Sequence, residues 1–137
     1  MPFPWLEMRI GEERDRRQRE ADILARLEPA LDEMQVILRE CLKAYTDAFG
    51  EGTVSLRREL GCLVVRAVDP PAQTRIAVDT KLPGFHVDRE GAQLSIEIGI
   101  LPGNKLFYRD VDADQYLSVD ELTKRILDRV LFPKLRE

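Results

Sequence analysis

A chain of 137 residues with 44% hydrophobic content is large enough to bury one core and too short for two domains of comfortable size. A formal net charge of -4 and a pI near 5.2 weigh against nucleic acid or an anionic membrane as the main partner, because phosphate affinity needs uncompensated cations. No apolar run approaches the ~20 residues that span a bilayer. Cys41 and Cys62, the two cysteines, match no zinc spacing and read as buried free thiols.

Residues 1–11 read as an apolar arm in which Pro2 and Pro4 interrupt Phe3, Trp5, Leu6, Met8 and Ile10. Two prolines so close together argue against a helix, and the alternation of Leu6, Met8 and Ile10 suits a segment packed on a sheet edge or on a second subunit. The arm lacks the basic region and continuous apolar run of a signal peptide, so the expected location is cytoplasmic. Residues 12–137 read as one α+β domain.

Glu12 to Phe49 has the pattern of one long amphipathic helix. Leu24, Leu27, Leu31, Met34, Leu38, Cys41, Tyr45 and Ala48 recur at alternating steps of three and four, which keeps one face apolar. Ile23, Ala30, Ile37 and Ala44 widen the stripe beyond what a two-stranded coiled coil needs, so the helix is expected to lie on a sheet. Pro29 falls opposite the seam, where a lost hydrogen bond bends a helix without splitting it. The stretch from Glu12 to Asp22 is almost wholly charged and pairs at helical spacing: Glu12 with Arg16, Glu13 with Arg17, Asp15 with Arg19. Over residues 9–22 five arginines face five carboxylates, leaving a solvated helix and no positive stripe.

After Gly50 and Gly52 the period changes from 3.6 to 2. Thr53 to Arg58 alternates, Cys62 to Val68 is apolar on both faces as an interior strand would be, and Gln73 to Leu82 alternates again. Phe85 to Arg89 is a short strand. Leu94, Ile96, Ile98 and Ile100 give one buried and one wet face, and Lys105 to Val111 is a last strand. Ser118 with Glu121 three residues on forms a capping box for a second helix, whose apolar face is Val119, Leu122, Ile126, Leu127, Val130 and Leu131. Short connections favour a meander. The expected fold is therefore a two-layer α+β domain, with an antiparallel sheet of five to six strands and both helices on one face.

One stretch carries chemical content: Asp110 to Glu121, DVDADQYLSVDE. It resembles the calcium loop of the EF-hand family, with carboxylates at positions one, three and five and a closing Glu at twelve. The resemblance implies a calcium site made by Asp110, Asp112, Asp114, the carbonyl of Tyr116, Ser118 through water, and Glu121. The chain departs from the family at position six, where Gln115 stands for Gly, and in having a strand before the loop where the family has a helix. An acidic turn leading into a capped helix N-terminus explains the same residues with local physics.

His86, the single histidine, falls on the polar side of its strand with Asp88. A tight hairpin at Pro83 and Gly84 would set Lys81 across from His86 and Asp79 across from Asp88, a cluster able to do acid-base work. No nucleophile motif or phosphate loop accompanies it, and no catalytic residue is assigned. The functional expectation is a non-catalytic protein-interaction module acting as a homodimer, able to hold another protein. A calcium-binding domain and a small-molecule binder or enzyme around His86 are the alternatives.

Overall fold

The computed structural model describes residues 2–135; Met1 of the arm and the last two residues of the expected domain lie outside them. Among the described residues the chain forms α1 (Pro4–Phe49), β1 (Val54–Glu59), β2 (Cys62–Val68), β3 (Pro71–Asp79), β4 (Gly84–Arg89), β5 (Ala92–Leu101), β6 (Lys105–Asp110), β7 (Gln115–Leu117) and α2 (Val119–Leu131). The strands make one antiparallel sheet in chain order. The α+β meander is as expected, except that the sheet has seven strands where five to six were predicted. The added strand, β7, is only three residues long and lies within the acidic stretch.

A second correction concerns the start of α1. Residues 4–11 are helical, and among the described residues only Pro2 and Phe3 of the expected arm lie outside the helix. Proline is favoured in a helix's first turn, because the N–H it lacks would have had no partner there and its φ is already helical. Phe3 supplies no side-chain cap; its carbonyl accepts from the amides of Leu6 and Glu7, each at 3.1 Å. The helix runs on through exposed Pro29 without dividing.

The core lies between the helices and one sheet face. A row of Leu63, Ile76, Val87 and Leu94 crosses β2 to β5 and packs under Leu27, Leu31, Met34 and Leu38 of α1 and Leu122, Ile126 and Val130 of α2. Each such side chain contributes ~1.5–3 kcal/mol on burial, set against the entropy of ordering it. Ser118 caps α2 as expected: Glu121 N donates to Ser118 Oγ and Ser118 N donates to Glu121 Oε1, both at 3.1 Å.

The part of α1 before Ile23 touches none of this core. From Pro4 to Asp22 it extends for ~28 Å at the α-helical rise. Among the expected ion pairs Glu13–Arg17 forms, whereas Arg16 binds Glu13 and Glu20. Arg16 and then Arg17 hold the Glu13 carboxyl at a pKa of about 2.

Candidate functional site

In the acidic stretch, β6 ends at Asp110 and the chain turns through Asp114, at φ 51, into β7. Asp110 is buried. Its Oδ1 accepts from the amides of Asp112 and Ala113 at 3.1 and 3.2 Å, and its Oδ2 accepts from Arg125 of α2. Arg125 also donates to Gln115 at 2.7 Å. Asp114 is taken by Arg109, which also binds Glu97. Glu121 and Ser118 are occupied in the capping box, and Tyr116 is an exposed strand residue. Asp112 alone of the four proposed carboxylate ligands has no protein donor among the described residues. Nor do any three His, Cys, Asp or Glu side chains among them stand where they could hold a metal together. What the arrangement does do is fasten the β6–β7 turn to α2 through the Asp110–Arg125 pair.

His86 lies half-buried on the sheet face away from the helices. Its strand neighbours are Ala77 and Ser95, and Asp88 is opposite Arg75. The expected pairing with Lys81 is replaced because β3 stops at Asp79, whose carboxylate accepts from the amides of Lys81 at 2.9 Å and Leu82 at 3.3 Å. That side-chain cap turns the chain four residues wide and moves the register. The row through His86 then reads Glu59, Cys62, Ala77, His86, Ser95, with no acid or base next to the imidazole in the register.

A polar cleft lies beside α2, lined by Arg89, Glu121, Lys124, Arg125, Asp128 and Arg129. Arg89 donates to the Arg125 carbonyl at 3.0 Å and has no carboxylate within ion-pair distance among the described residues. Burial first, and then repulsion from Arg129, lowers its pKa.

Two apolar surfaces remain; the residues of the first are those of the expected arm, and the second has no counterpart in the sequence reading. One is the free end of α1, where Phe3, Trp5 and Met8 are 54, 66 and 67% exposed and Leu6 and Ile10 are half-buried by their own helix. The other is a groove of about 480 Å³ between the last turns of α1 and the length of α2. Its floor is Cys41, Ala44, Tyr45, Ala48, Leu127 and Leu131, and Asp120, Lys124 and Asp128 stand at its α2 rim. Burial, then the nearby Glu40 and Asp120, pushes the Cys41 thiol pKa up. Among the described residues no helix is long and apolar enough to cross a membrane. Comparison of the chain with family models, with curated proteins and with solved structures gives no match.

Proposed function

We propose that this protein is a non-catalytic interaction module that works as a homodimer through the projecting end of α1. One observation carries the reading. Some 28 Å of helix stands clear of the core and ends in exposed Phe3, Trp5 and Met8. Isolated helices of this length are marginal in water, and exposed aromatic clusters of this kind mark association surfaces. The charged stretch between tip and core supports the same reading. It is internally paired, so it keeps the spacer helical and soluble while offering no net charge to a polyanion.

The test is sedimentation equilibrium on the full chain from low to high micromolar concentration. The expected species has about twice the 15.8 kDa chain mass. A single 15.8 kDa species throughout would remove the proposal.

A further inference from the structure

We infer that the homodimer is reciprocal and antiparallel, the α1 tip of each copy seated in the groove between α1 and α2 of the other. This inference rests on the homodimer reading and adds its geometry. Tip and groove are both apolar, and they belong to opposite ends of one continuous helix. Leu6 and Tyr45 are separated along it by ~58 Å, so a tip cannot reach the groove of its own chain. A second copy turned end for end presents each tip to the other's groove, and one two-fold axis satisfies both contacts at once, as an isologous interface requires. The contact is a helix laid in an apolar groove.

Area fits this arrangement. Setting Trp5 beside Tyr45 of the second copy fixes an antiparallel register. The parallel alternative, with tips side by side on the seam, would place Glu13, Arg17 and Glu20 each against its own copy, and like charges at such positions are destabilising. Side chains of the size of Phe3, Trp5 and Met8 offer ~200 Å² each when free. At their exposures a reciprocal pair covers roughly 1,500 Å² counting both faces of both contacts, within the range of specific, stable interfaces.

Trp5 is the single tryptophan, so its fluorescence reports the seat directly. On raising the concentration its emission shifts to the blue in step with dimer mass. Trp5→Ser with Met8→Ser, and separately Ala48→Glu in the groove, each raise the dissociation constant by roughly thirtyfold or more. All three positions are exposed, and an unchanged monomer melting temperature checks that the fold is intact. A chain with Met8→Cys and Cys62→Ser, treated with a short bismaleimide, links position 8 to Cys41. These sites are ~50 Å apart in one chain, so the link joins two copies. If the wild type is monomeric, the homodimer reading and this geometry fall together. If it is dimeric but indifferent to the tip and groove variants, or links 8 to 8, the homodimer stands and the reciprocal seat is overturned. A blue shift with anionic vesicles and none with concentration would also overturn it, in favour of a membrane surface.

Discussion

Replacing Asp110 by Asn separates two views of the acidic stretch. The Asp110 side chain is 5% exposed and carries one ion pair and two backbone amides. Asn keeps an oxygen for the amides but turns an NH₂ toward the Arg125 guanidinium, so a donor faces a donor. Removing one partner of a buried pair costs ~3–5 kcal/mol. Arg125 is 30% exposed and keeps Gln115, so water recovers part of that loss, and the expected cost is about 2–3 kcal/mol. For a chain of this size that lowers the melting temperature by roughly 10 °C. Asp112→Asn, at an exposed side chain, stays within ~0.5 kcal/mol. Urea titrations of both variants, with and without millimolar calcium, provide the assay, and calcium is expected to leave every midpoint where it was. Equal costs at the two positions, or a calcium-dependent gap between them, would refute the view that this turn is a clasp on α2.

Other expectations follow from single contacts. A Cβ on Gly84 would come within 1.8 Å of the Ile96 carbonyl oxygen, whereas one on Gly99 meets the Phe107 ring at 2.0 Å. Gly84→Ala should therefore cost more than ~3 kcal/mol with no single rescue, while Phe107→Ala should recover most of the loss in Gly99→Ala, as a double-mutant cycle would show. Glu121 is held below the usual carboxylate range, first by the Ser118 amide and then by the Ser118 hydroxyl. Its contribution is present above the unfolded carboxyl's pKa and is lost as pH falls through the folded value. Acid titration of α2 helicity should therefore show a step that Ser118→Ala diminishes. Cys62 is 1% exposed and Cys41 half-buried, so a thiol reagent should label Cys41 first and reach Cys62 only in denaturant. Burial, followed by the bond to Glu59, pushes the Cys62 thiol pKa up as well.

Much of the fold was legible because long, regular patterns have one physical solution. The seam through Leu27, Leu31, Met34 and Leu38 is buried as read, and the alternation of Leu94, Ile96 and Ile98 points at the helices. Ser118 and Glu121 form the box their spacing implies. Signals with two meanings were misread. Pro4 breaks a helix interior but starts a helix equally well, and nothing local distinguishes the cases. β7 is too short to show a period. The β3–β4 register depended on Asp79 capping its own turn, a competition between side chain and ladder that alternation does not report. The tip was recognised as apolar, but its groove was not, because Cys41, Ala48 and Leu127 come together only in three dimensions.

Pairing each strand with its chain neighbour also shapes how the molecule assembles. Every hairpin closes a loop of a few residues, at small entropic cost, so the sheet can zip from any turn. The two helices must find distant partners, α1 reaching β5 and α2 reaching back to β2 across some fifty intervening residues. Docking of the helices is the step with the high contact order, and until it happens the row from Leu63 to Leu94 lies open to water. Whatever delays the helices prolongs an exposed, sticky intermediate, which makes the two ends of the chain the natural determinants of folding yield.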